Sequence, residues 1–260
     1  MTQNTATLEA RLEASFPLFL SLVWKSLDLP PPTRAQIAIA NYLQNGPKRL
    51  QIQAFRGLGK SWIAAAFVLW TLWIDRDKKI LVISASKQRA DDFTIFCQKC
   101  ILEFDWLAHF RPVDDDQRWS RVSFDVAGCR PAQSPSVKSV GITGQITGSR
   151  ADLIVFDDVE VPANSATDFM REKLLQLVTE GESVLTPEKD SRIVFLGTPQ
   201  TSFTIYRTLR DRNYRPFVWP ARYPKDLTGY DELLAPQLAK DIERDGHEAL
   251  SWRPTDTRFS

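Results

Sequence analysis

Two short runs of residues carry groups suited to chemistry on a phosphate anhydride. The first, residues 54–61, reads A-F-R-G-L-G-K-S; the second, residues 153–160, reads L-I-V-F-D-D-V-E. In the first, Gly57, Leu58 and Gly59 lead into Lys60 and Ser61. Backbone N–H groups at a helix start can cradle phosphate oxygens, Lys60 can reach the β- and γ-phosphates, and the Ser61 hydroxyl can ligate Mg²⁺. Arg56, inside the loop, can touch a γ-phosphate of its own site. Ala54 stands where the usual P-loop pattern has its first glycine, so this loop is a variant. In the second run, four apolar residues deliver acids to the mouth of a sheet. Asp157 would hold Mg²⁺ through water, and either Asp158 or Glu160 would polarise the attacking water; the residue types leave both open.

Four further runs carry weaker signals. Residues 192–199, R-I-V-F-L-G-T-P, end a buried strand in a small polar turn, where Thr198 can sense a γ-phosphate and pass on its loss. Residues 139–152, S-V-G-I-T-G-Q-I-T-G-S-R-A-D, form a glycine-bearing loop able to approach phosphate closely. Its Arg150 would either enter a neighbouring subunit's site as an arginine finger or pair with a carboxylate of its own chain. Lys87 and Arg89, at a helix start, are placed to meet nucleic-acid phosphates. Gln36 carries a donor and an acceptor that suit the edge of adenine. The run Asp114-Asp115-Asp116 cannot converge on one metal pair and reads as a solvated loop.

These groups need a scaffold, and the apolar pattern supplies one. Buried strands are expected at residues 50–55, 79–84, 153–156, 192–197 and 214–219, with shorter ones at 118–126 and 137–140. Helices are expected at 15–27, 34–43, 60–73, 87–104, 167–185 and 203–209. Alternation of this kind predicts an α/β fold, a mostly parallel sheet with helices on both faces and ligand loops at the carboxyl ends of the strands. Residues 1–46 read as a small N-terminal helical subdomain, with 1–14 frayed or loosely helical. Residues 47–245 read as the P-loop core, and 246–260 as a frayed tail or the start of a linker.

The composition narrows the class. A net charge of +1 over 260 residues leaves no global basic field, so any nucleic-acid contact must be local. Three cysteines and no signal peptide point to a reducing cytosol. Cys97 and Cys100 have no second pair and read as two thiols on a helix face rather than a zinc site. The apolar run 62–73 is too short to span a bilayer.

Taken together, A-F-R-G-L-G-K-S, the run 139–152, D-D-V-E and L-G-T-P-Q resemble the ATPase domain of the large terminase subunit of tailed bacteriophages, most closely the short-tailed podophage type. The resemblance runs from the N-terminal helices to about residue 254. It implies a RecA-like ASCE P-loop core and an ATP- and Mg²⁺-dependent motor that drives double-stranded DNA into a procapsid. It implies a Q-motif at Gln36, a variant P-loop at Arg56 to Ser61, and a Walker B aspartate at Asp157. It also implies a coupling motif at Gly197 and Thr198, and a trans-acting arginine at Arg150. Family members usually carry glutamate as the base after the Walker B aspartate; Asp158 stands there instead.

The implied partners are duplex DNA, the capsid portal protein, the small terminase subunit and further copies in a ring, a pentamer in the working motor. A monomer in isolation is the open alternative. The implied location is the host cytoplasm, with no membrane. The family's nuclease domain would not fit within the chain, so DNA cleavage is not expected of it. Two other readings remain open: a superfamily 2-type helicase-like ATPase, and a nucleotide-dependent module that docks on DNA or portal with little turnover.

Overall fold

The computed structural model describes residues 2–200 and 203–257, with residues 2–7 and 231 as backbone only. Its strands are β1 (Arg49–Ala54), β2 (Ile80–Ser84), β3 (Ser123–Phe124), β4 (Val137–Gly141), β5 (Leu153–Asp157), β6 (Arg192–Gly197) and β7 (Arg215–Trp219). They form one sheet in the order β3-β4-β2-β5-β6-β1-β7. Only the β3–β4 pair is antiparallel. Every residue of β2 and β5 is buried, as strands covered on both faces must be. The fold is thus the expected mostly parallel α/β sheet.

The parallel register does the positioning. Ser84 lies opposite Asp157, Asp157 opposite Leu196, and Gln53 opposite Gly197. The carboxyl ends of β1, β2, β5 and β6 therefore share one edge, and the loops leaving them open on one cleft. β6 lies between β1 and β5, so the turn after β6 separates the phosphate loop from the acidic strand end.

Helices fill both faces. On one side α1 (Thr2–Ala14), α2 (Phe16–Ser26) and α3 (Arg34–Asn45) pack with α4 (Lys60–Ile74) and α5 (Lys87–Glu103). The Phe16 ring lies 5.2 Å from Phe67 and 5.3 Å from Trp70, and the Trp70 indole N–H donates to Leu12 O at 2.8 Å. Leu12, Trp24 and Ile39 thus share one hydrophobic cluster with Ile63 and Leu69 of α4. On the other side, α6 (Pro162–Ser165), α7 (Asp168–Glu182) and α8 (Ile205–Asp211) follow β5 and β6. Val178 of α7 and Tyr206 of α8 cover Ile83, Phe156 and Phe195, and the last two rings stack at 4.1 Å.

Four local expectations change. Residues 2–14 form a regular helix, tied down by the Trp70 bond. Residues 118–126 supply only the two-residue β3. A helix α9 (Pro236–Asp245) appears where none was expected, buried through Leu238. The stretch read as a frayed tail also packs: Thr255 and Asp256 are buried, and the Thr33 hydroxyl donates to the Asp256 carboxylate. Residues 258–260 of that stretch lie outside the described residues.

Candidate nucleotide site

The phosphate loop is built from two left-handed glycines. Gly57 and Gly59 have φ of 89° and 83°, which side-chain-bearing residues rarely adopt. Gly59 is the N-cap of α4 and has no side-chain cap, so the first-turn N–H groups face the cleft. Leu58 turns inward and is buried. Beneath the loop, Gln36 is fully buried. Its amide N–H donates to Leu58 O at 2.9 Å and its oxygen accepts from Thr33 N at 3.0 Å. One amide N–H and one lone pair of the oxygen are thereby engaged. The geometry is that of a brace under the loop.

Lys60 is buried, and its ammonium donates to Ala54 O, Phe55 O and Thr198 Oγ1 at 3.0, 3.1 and 2.9 Å. Burial lowers its pKa, opposed by the charges of Asp158 and Asp157. The Ser61 hydroxyl donates to Asp157 Oδ1 at 3.0 Å. Burial raises the Asp157 pKa to about 6, against the Ser61 hydrogen bond. A serine hydroxyl and a carboxylate in contact are the hard oxygen donors that Mg²⁺ takes when substrate and water complete its shell. Among the described residues no cluster of three or more His, Cys, Asp or Glu could hold a metal. The fit is thus to a metal shared with phosphate, not to a protein cage.

The two acids left open by the sequence have different surroundings. Both border the phosphate-loop cleft, and Asp158 also borders the lobe beside Asp157. The Asp158 backbone sits at φ 47°, its N–H donates to Leu196 O at 2.8 Å, and its Oδ1 accepts from Thr198 N at 3.2 Å. Glu160 is 1% exposed. Its carboxylate accepts from Gln200 N at 2.9 Å, from Ile205 N at 2.7 Å, and from the Thr204 hydroxyl at 2.8 and 2.9 Å. Those donors hold it to the loop after β6 and the start of α8. Gly197 ends β6 so close to Tyr206 that a Cβ there would lie 1.5 Å from the hydroxyl oxygen.

Two residues enter the cleft without a part assigned to them there. Gln200 accepts from Arg56 Nη2 at 3.1 Å and donates to Thr198 O at 2.7 Å; a lone glutamine after Thr-Pro gave no periodic or charge signal. Arg89, read as facing nucleic acid, lines the cleft instead, while Lys87 pairs with Asp91 at 2.5 Å. Arg150 is not in the cleft. It precedes β5, whereas Asp157 ends it. Cys97 and Cys100 are buried free thiols.

The cleft has a volume of about 550 Å³ and continues from the loop to Trp24, Leu29 and Trp62, so a phosphate-binding end adjoins an apolar one. The family described as terminase large subunit, T4likevirus-type, N-terminal matches residues 52–193. The large terminase subunit of Enterobacteria phage T3 is 50% identical over 261 residues, covering 98% of this chain and 44% of that protein. The chain therefore spans less than half the length of that relative. In fold, it is similar to the HK97 bacteriophage large terminase (TM-score 0.50, 13% identity, 84% of this chain and 49% of that one). It is also similar to the DEAD-box helicase Mss116 bound to ssRNA and UDP-BeF (TM-score 0.50, 11% identity, 76% and 41%). With more than half of its residues matched by that family, the phosphate loop and acidic strand end among them, the chain belongs to the terminase large subunit family of T4likevirus type.

Proposed function

We propose that this chain is an ATP-hydrolysing motor domain that drives double-stranded DNA into a phage procapsid. The observation that carries the reading is the junction of three strand ends: Lys60 on Thr198, Ser61 on Asp157, and Asp158 on the Thr198 N–H. Phosphate oxygens would take the first-turn N–H groups of α4 and the Lys60 ammonium, and the purine would lie toward Trp62 and Leu29. Ser61 and Asp157 would hold Mg²⁺, which when bound neutralises charge on the β- and γ-phosphate oxygens.

Asp158 is the base. It takes the proton of a water whose oxygen bonds to the γ-phosphorus. As that bond forms, the bond from phosphorus to the β–γ bridging oxygen breaks, and its electron pair leaves with the diphosphate. Glu160 is instead a structural anchor. Thr198, held to both Lys60 and Asp158, passes the change to the loop after β6. Arg56 approaches the γ-phosphate in cis through its exposed position beside Gln200. Arg150 would act in a neighbouring copy of a ring, a pentamer, on the portal protein, with the small terminase subunit as a further partner. The site of action is the host cytoplasm. Among the described residues no helix is long and apolar enough to cross a membrane.

The test is ATP turnover of Lys60→Ala. Loss of turnover by about 10²-fold or more is expected, because the variant removes the charge nearest the transferring phosphoryl group. Normal hydrolysis by the variant would end the assignment.

A further inference from the structure

Three cations border the cleft: Arg56, Lys60 and Arg89. Two already have partners. Lys60 makes three hydrogen bonds and Arg56 one, to Gln200. The Arg89 guanidinium has no ion pair or hydrogen-bond partner among the described residues, and the residue is exposed. Lys87, in the same helical turn, is neutralised by Asp91.

The fold holds Arg89 in place without occupying its guanidinium. Ser84, the last residue of β2, lies opposite Asp157, so the chain leaving β2 starts beside the acidic strand end. Ser86 then caps α5 by accepting from Arg89 N at 3.4 Å. The turn is backed tightly: a Cβ on Gly141 would lie 2.6 Å from Lys87 N. From there Arg89 borders two adjoining lobes. One is the phosphate-loop lobe; the other, of about 450 Å³, is lined by Ser61, Phe93, Asp157 and Asp158. Its charge is felt at Asp157, whose acidity it favours. Cavities of this size take nucleotides; a DNA duplex does not fit them.

We propose that Arg89 is a catalytic residue of the nucleotide site, acting in cis: its guanidinium binds triphosphate oxygens from the α5 side of the cleft, across from Lys60. This deepens the ATPase reading above and rests on it. A planar guanidinium with several free donors suits equatorial oxygens whose charge changes as the γ-phosphoryl group leaves. Arg89 contributes no proton and forms no bond in the step already written. It stabilises the charge that the step redistributes.

The experiment compares wild type, Arg89→Ala, Arg89→Lys, Lys60→Ala and Lys87→Ala, each as the full 260-residue chain. The readouts are ATP turnover and the affinities for ADP, for ADP with aluminium fluoride, and for duplex DNA. Arg89→Ala should lower turnover by about 10²- to 10³-fold, the usual effect of losing one donor to a developing charge. It should weaken binding of ADP with aluminium fluoride by a similar factor, yet leave ADP and DNA affinity within about threefold of wild type. Arg89→Lys should recover part of the loss, because it keeps the charge and loses the fork. Lys87→Ala should match wild type in ATP turnover and in the affinities for ADP and for ADP with aluminium fluoride. If Arg89→Ala leaves turnover and aluminium fluoride binding unchanged, or weakens only DNA binding, the proposal is overturned. If Lys60→Ala is silent as well, the nucleotide-site reading itself falls.

Discussion

Replacing Glu160 by Gln separates two explanations for the acids after β5. The carboxylate accepts from Gln200 N, Ile205 N and the Thr204 hydroxyl while 1% exposed. A carboxamide keeps one acceptor oxygen and turns an NH₂ group toward donors. One charge-assisted bond is lost and one buried donor is left unpaired, at about 1.5–3 and 1–3 kcal/mol respectively. Allowing for relaxation, Glu160→Gln should cost about 2–4 kcal/mol. For a chain of this size each kcal/mol shifts Tm by about 2–4 °C, so a fall of roughly 5–15 °C is expected. Turnover per folded molecule, measured well below that transition, should stay within about tenfold of wild type.

Asp158→Asn should do the opposite. Asparagine tolerates the left-handed backbone and keeps an oxygen for the Thr198 N–H, so Tm should scarcely move. Loss of the base should lower kcat by about 10²- to 10⁴-fold. Thermal unfolding and steady-state ATPase assays on the two variants decide. A Glu160→Gln protein as stable as wild type but inactive, beside an active Asp158→Asn, would refute the reasoning and move the base to 160.

Other expectations follow from burial. Burial holds the Asp157 pKa at about 6, above its ordinary value of 3.8. Protonation therefore favours the native state, a contribution present in full below pH 3.8 and lost as the pH rises through about 6. In metal-free buffer, urea unfolding should show Asp157→Asn gaining on wild type by up to about 3 kcal/mol between about pH 4 and about pH 8; equal pH profiles would contradict this. Cys97 and Cys100 are buried, with thiols pushed well up and up to about 12 respectively. Native protein treated with iodoacetamide should be alkylated at Cys129 alone, and rapid labelling of the other two would show the helix opening. The buried Tyr206 hydroxyl has no hydrogen-bond partner among the described residues, so Tyr206→Phe should leave Tm unchanged or raised. Gly197→Ala should be destabilised by the overlap with that ring, which the same melting experiment checks.

The sequence revealed the site where residue type and element position coincide. Lys60, Ser61 and Asp157 follow buried strands, and a parallel sheet must bring such ends together. It could not divide labour between Asp158 and Glu160. That depends on where α8 begins, and Glu160 is consumed by the Thr204 and Ile205 donors of a different element. The bracing of the loop by Gln36 was hidden for a similar reason: its amide meets Leu58 O and Thr33 N, and no local pattern announces that. Arg89 and Lys87 are two residues apart with the same charge, and only the direction of α5 tells cleft from solvent. Helix α9 escaped notice because its apolar residues, Leu238 and Ile242, give a single turn of pattern in a polar run.

The brace under the phosphate loop has a consequence for how the chain is made. Gln36 supports Leu58, Thr33 holds Gln36, and Asp256, lying 223 residues away in sequence, holds Thr33. The loop residues leave the ribosome early, but their last support arrives with almost the final stretch of the described chain. Contacts so distant in sequence form late. During synthesis, then, the nucleotide loop has its residues long before the last link of that support is made.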